Sequence, residues 1–91
     1  MLHIVKQPNA LLELIEVYQV GDQLLLVEDS VYLCNAQHPM FTILKPMDVF
    51  VLKADAEARG IYNRISPSLS VVDFDGFVEL TVAHSTSLTW N

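Results

Sequence analysis

The sequence predicts an α/β fold: a small three-layer domain on a mainly parallel sheet of four to five strands. Two observations lead to it. Four short, largely apolar runs, Leu2–Val5, Leu24–Val27, Val49–Leu52 and Leu69–Val72, are each bounded by polar or turn residues. They do not alternate with polar residues, which is the pattern of strands buried on both faces. The segments between them are long enough for crossovers, and strand, helix, strand in repeated order favours a parallel sheet with right-handed connections.

The elements follow in order. After the first run, Pro8 stands where a helix often begins. Leu11, Leu12, Ile15 and Tyr18 or Gln19 then recur at helical spacing, so a helix is expected over Asn9–Val20, closed by Gly21. Glu28-Asp29-Ser30 supplies acids and a hydroxyl that can cap a short helix, Val31–Ala36. Residues 37–47 contain Pro39 and Pro46 and read as an irregular connection with a partly apolar middle, Phe41–Leu44. Asp55–Arg59 forms a short helix that stops at Gly60. Asp73 and Asp75 cap a helix running to about Val82, with Phe74, Phe77, Val78 and Thr81 on its buried face; alternation of Val78, Leu80 and Val82 keeps a strand as the competitor there. The tail Ser85–Trp90 is expected to pair as a short edge strand or to dock. Functional loops of such sheets collect at the carboxyl ends of the strands, here Lys6–Pro8, Glu28–Ser30, Lys53–Asp55 and Asp73–Asp75.

Ninety-one residues suit one domain spanning 1–91. A chain this short hides only roughly 60–65% of its unfolded surface, yet 52% of its residues are hydrophobic. The surplus points to faces covered by other subunits. Eleven acidic residues against five basic ones give a net charge of −6. The bases Lys6, Lys45, Lys53, Arg59 and Arg64 form no run, so direct nucleic-acid binding is not expected. The start lacks the pattern of a secretory leader. No apolar run approaches the ~20 residues of a membrane span. A cytoplasmic location is the resulting expectation.

Four segments carry a resemblance to the TusB/DsrH family. They are Met1-Leu2-His3-Ile4-Val5; Val27-Glu28-Asp29-Ser30-Val31-Tyr32; Val49-Phe50-Val51-Leu52-Lys53-Ala54-Asp55 running on to Ala58-Arg59-Gly60; and Ser70-Val71-Val72-Asp73-Phe74 continuing through Gly76-Phe77-Val78-Glu79-Leu80-Thr81 to Trp90. The resemblance implies a DsrE/DsrF/DsrH-like fold and a subunit of a sulfur relay. It implies TusC-like and TusD-like partners in a heterohexamer, a dimer of heterotrimers. The TusBCD-like branch passes persulfide sulfur toward 2-thiolation of a tRNA wobble uridine, with the essential cysteine on the TusD-like partner; the DsrEFH-like branch serves sulfur oxidation. Two positions depart from the family pattern. Asp29-Ser30-Val31 replaces the usual Asp-Gly-Val, and Leu14 stands where DsrH-like members carry a cysteine in the first helix. The second departure favours the TusB-like branch and a noncatalytic role.

Sulfur transfer needs an accessible thiol of low pKa. Cys34 is the single cysteine and therefore the only candidate sulfur carrier. No Lys, Arg or His lies within three residues of it, and an unpaired cysteine between Leu33 and Asn35 reads as a buried small hydrophobe. His3, His38 and His84 have neither helical i, i+4 spacing nor a cysteine partner, so neither a metal site nor a cofactor is expected. The lone glycines Gly21, Gly60 and Gly76 build no phosphate loop. Trp90, next to last, needs something to hold it, and is expected to anchor on its own domain or on a partner. The alternatives to a noncatalytic relay subunit are a direct persulfide carrier using Cys34, a DsrEFH-like oxidation subunit, and an unrelated homo-oligomeric ligand-binding domain.

Overall fold

The computed structural model describes all residues, 1–91. Five strands, β1 (Leu2–Val5), β2 (Gln23–Leu26), β3 (Asp48–Leu52), β4 (Ser70–Val72) and β5 (Ser87–Trp90), form one sheet in the order β4-β3-β2-β1-β5, parallel throughout. The four apolar runs are thus the first four strands, and the tail is the fifth. Four α-helices connect them: α1 (Ala10–Leu14), α2 (Phe41–Leu44), α3 (Lys53–Ala58) and α4 (Phe74–Ala83). Two 3-10 segments, Glu28–Cys34 and Tyr62–Arg64, complete the connections.

The pleat sends alternate residues to opposite faces. Val5, Leu24, Leu26, Val49 and Val51 pack with Leu11 and Leu14 of α1, Val31, Leu33 and Cys34, Phe41 and Leu44 of α2, and Ala56 of α3. Leu2, Leu25 and Val27 face the other way, toward Phe77 and Leu80 of α4. One face therefore carries three short helices and both 3-10 segments, while the other carries α4 alone. This is the three-layer arrangement expected, with its layers unequal.

Several expectations need correction. The first helix is five residues long rather than twelve. Its buried face is Leu11 and Leu14, with Tyr18 half-buried behind them, and Leu12 and Ile15 are exposed. Past Leu14 the chain turns because polar side chains take over the backbone groups that would continue the helix. The Asp22 carboxylate accepts from the Gln19 N–H, and the Tyr18 hydroxyl donates to the Asp22 carbonyl. Gly21, at φ +95°, serves the turn into β2 rather than capping a helix.

The second expected helix, Val31–Ala36, is a 3-10 segment that begins three residues earlier. Glu28, Asp29 and Ser30 lie inside it and do not cap it; Ser30 donates its hydroxyl to the carbonyls of Val5 and Val27, tying the segment to β1 and β2. The non-glycine residue with positive φ is Glu28 (+51°), so the left-handed position of this turn is not at Ser30. The middle of 37–47 is helical, as α2. In α4 no residue is fully buried; the half-buried Phe77 and Leu80 pack on the sheet, whereas Phe74 and Val78 are exposed. Helix wins over strand there because Asp73 caps the first turn, accepting from the Gly76 N–H at 2.8 Å.

Candidate functional site

The carboxyl ends of β1, β2 and β3 bring together Lys6, Glu28, Asp29, Lys53, Asp55 and Arg59. Their charges are already matched. Asp55 accepts the Glu28 N–H at 2.6 Å, which holds the left-handed Glu28 in place. Arg59 Nε donates to Asp29 at 3.0 Å, and Lys6 Nζ lies 3.8 Å from the Glu28 carboxylate. Lys53 Nζ sits 5.5 Å from the centre of the Tyr62 ring, a cation–π contact. Three acids and three bases at one edge leave no net charge to collect an anionic substrate. The edge also presents no nucleophile.

Cys34 closes the 3-10 segment after β2, and its side chain is fully buried in the larger core. Burial pushes the thiol above its ordinary range, and its own backbone hydrogen bond offsets only part of that. A neutral, enclosed thiol is a poor nucleophile. Its surroundings are Val31, Leu33 and the helices of the larger core. No charged residue near it stabilises a thiolate.

The most connected polar cluster lies elsewhere. His3, on β1, is fully buried, and both ring nitrogens are engaged. Trp90 Nε1 donates to Nδ1 at 3.2 Å, and Nε2 lies 2.9 Å from the Asp22 carboxylate. A nitrogen that accepts from an indole carries no proton, so the donor to Asp22 is Nε2–H on a neutral imidazole. Asp22 also binds the Met1 ammonium at 3.0 Å. Desolvation raises the Asp22 carboxyl, but the bonds from His3, the Gln19 N–H and the amino terminus outweigh it and pull it down to about 2. The cluster has acid, imidazole and indole but no nucleophile, and its chemistry is structural: it fastens β5 to β1 and to the turn before β2.

Trp90 is half-buried on its own chain and packs against the larger core. His38 accepts the Met40 N–H, and His84 donates to Gln23, which donates to Asp48. The histidines are dispersed, and no group of three His, Cys, Asp or Glu could hold a metal ion. The largest cavity, about 430 Å³, opens at the amino end of the sheet between Tyr18, Val20 and Met47. No thiol, histidine or cation lines it, and it lies opposite the strand ends where α/β sheets place their sites. No helix is long and apolar enough to cross a membrane.

What the surface offers is apolar area. Leu12, Ile15, Val17 and Val20 are exposed around α1, and Phe74, Val78 and Val82 along α4. Sequence reasoning anticipated the surplus of oily surface but not its location. It anticipated a satisfied His3 on a strand and an anchored Trp90, but not that Asp22 joins them in one network, because Asp22 is 19 residues from His3 and 68 from Trp90 and nothing local links them.

Comparison with known proteins places this geometry. The model of the DsrH like protein family matches residues 6–87. Proteins named TusB are 34% identical over 79 residues in Erwinia tasmaniensis, covering 85% of this chain and 83% of the relative, and 38% identical over 72 residues in an Enterobacter species, covering 77% and 76%. The crystal structure of the ychN protein from E. coli shares the fold, with a TM-score of 0.69, 18% identity, and coverage of 98% of this chain and 97% of that one. A parallel five-stranded α/β chain matched over nearly its whole length in this way belongs to the TusB/DsrH family of sulfur-relay subunits.

Proposed function

We propose that this chain is a noncatalytic subunit of a persulfide relay serving 2-thiolation of a tRNA wobble uridine in the cytoplasm, and that residues 1–91 act as one domain. It assembles with TusC-like and TusD-like subunits in a heterohexamer, and the TusD-like partner holds the reactive cysteine. The observation that carries this reading is the position of Cys34. To carry sulfur, a thiolate must reach a donor persulfide and attack its outer sulfur while the donor thiolate leaves. A side chain with no accessible surface, raised in pKa by burial, does neither. The resemblance places a cysteine of DsrH-like members at Leu14, and its absence here favours the TusB-like branch. The role left is to present surface. Family membership supports a place in the relay, and the similar TusB proteins support the branch. With a net charge of −6, contact with tRNA belongs to a more basic partner.

The test is Cys34→Ala in a relay reconstituted from purified subunits. Sulfur transfer is expected at the rate of the unmodified complex, and Cys34 in the native chain is expected to resist alkylation at neutral pH until it is unfolded. Loss of transfer by a complex that still assembles would overturn the proposal. A persulfide trapped on Cys34 during turnover would favour the direct carrier.

A further inference from the structure

We infer that the outer side of α4 is the docking face for a partner subunit whose contact surface is apolar with a basic rim; this rests on the hetero-oligomeric reading above. Five strands about 4.8 Å apart make a sheet roughly 19 Å wide, and one helix with its side chains covers only about 10 Å of it. The face that bears α4 is therefore half-covered, and Ile4, Phe50, Leu52 and Val72 on it are only partly buried. The helix adds to the deficit. Phe77 and Leu80 turn inward, while Phe74, Val78 and Val82, at i, i+4 and i+8, are 71%, 43% and 80% exposed. That spacing draws one continuous stripe along the helix. A stripe of this kind beside an unfinished sheet face is the pattern of a helix that packs against another subunit.

The charges select the occupant. Asp73, Asp75 and Glu79 flank the stripe, and no base occurs from Asp73 through Ala83. A second copy docked across this stripe would bring six carboxylates to one interface, where like charges oppose association. A partner with Lys or Arg around an apolar groove gains both burial and charge pairing. The exposed residues around α1 make a weaker case: Leu12, Ile15, Val17 and Val20 are also flanked by acids, Glu13 and Glu16, but they lie on a five-residue helix and the turn after it, over a sheet face that several other elements already layer.

The test uses the full chain co-expressed with the TusC-like and TusD-like subunits of the same genome, with assembly read by native mass spectrometry and dissociation by titration. Val78→Lys with Val82→Lys is expected to keep the helical circular-dichroism signal and to weaken assembly at least tenfold. Leu12→Lys, on the opposite face, is expected to assemble as the parent does. Asp75→Asn with Glu79→Gln leaves the stripe and the fold untouched, and is expected to weaken assembly about threefold or more and to flatten its salt dependence. Normal assembly of the double-lysine variant, or disruption by Leu12→Lys alone, overturns the assignment of this face. An unchanged salt dependence in the amide variant overturns the basic-rimmed partner, as does a homodimer that the double-lysine variant dissociates. Failure of the parent chain to bind either subunit overturns the hetero-oligomeric reading itself.

Discussion

Asp22 makes four polar contacts with two segments of the chain, the amino-terminal Met1–His3 and the turn residues Tyr18 and Gln19. Its carboxylate binds the Met1 ammonium, the His3 ring and the Gln19 N–H, and its carbonyl accepts the Tyr18 hydroxyl. The folded carboxyl titrates at about 2, against 3.8 in its absence. A depressed carboxyl stabilises the fold above about pH 4, and that stabilisation is lost as pH falls through 2. Full conversion of the shift gives about 2 kcal/mol; the exposed ammonium partner reduces it to about 1–2 kcal/mol. Asp22→Asn is therefore expected to lower urea stability by about that much at pH 7, and the gap to the parent should narrow between pH 4 and pH 2. A gap constant across that range would show that charge is not its origin. Trp90→Phe tests the other side of His3. The ring packing is largely kept, but the buried Nδ1 loses its donor, at a cost of about 1–3 kcal/mol, measurable by the same titration. Neither residue announces its role in the sequence: an Asp before a strand and a Trp at a chain end each have many uses.

At the scale of the element, α4 is where propensity and packing disagree. Gly76 lies inside the helix, where alanine would ordinarily add about 1 kcal/mol. A Cβ there would stand 2.9 Å from the Cβ of Val72 and 3.2 Å from its Cγ1. Val72 ends β4 and immediately precedes the Asp73 cap, so its Cβ is fixed by the backbone that leads into the helix and cannot swing away. Gly76→Ala is expected to destabilise by about 1–3 kcal/mol, seen as a lower melting temperature; a stabilised variant would mean that α4 can lift off the sheet. The capped start of this helix was legible from Asp73, because a cap is a local event. Its inward face was misread, since Phe74, Phe77, Val78 and Thr81 can be drawn as one stripe until the sheet shows which side it occupies. The first helix was misread for a different reason. Its apolar spacing persists past Leu14, but hydrogen bonds made by Tyr18 and Asp22 end it.

At the scale of the molecule, β5 completes the sheet. It pairs with β1 from Leu2↔Ser87 to Val5↔Trp90, and Lys6 N–H donates to the Trp90 carbonyl. Removing Leu88–Asn91 strips β1 of a neighbour and uncovers His3. The truncated chain is expected to melt at least 10 °C lower, consistent with about 2–4 kcal/mol in a domain of this size, and to assemble poorly; unchanged melting would show that the tail is a passenger. The same scale explains why this small chain keeps so much apolar surface. One face of its sheet is layered by several short elements and the other by one helix, so its own residues cannot close both.

The sequence by itself determined the fold class, because fully buried parallel strands need continuous apolar runs and the crossovers between them need helical lengths of chain. It also determined that Cys34 is the only thiol available, and the four quoted segments were enough to indicate the family. Tertiary structure decided the rest. Whether Cys34 is accessible, which side of α4 meets the sheet, and that His3, Asp22 and Trp90 share one network all depend on contacts between residues distant in sequence. Periodicity describes which side chains of an element lie together, whereas burial and pKa depend on what the neighbouring elements place against them.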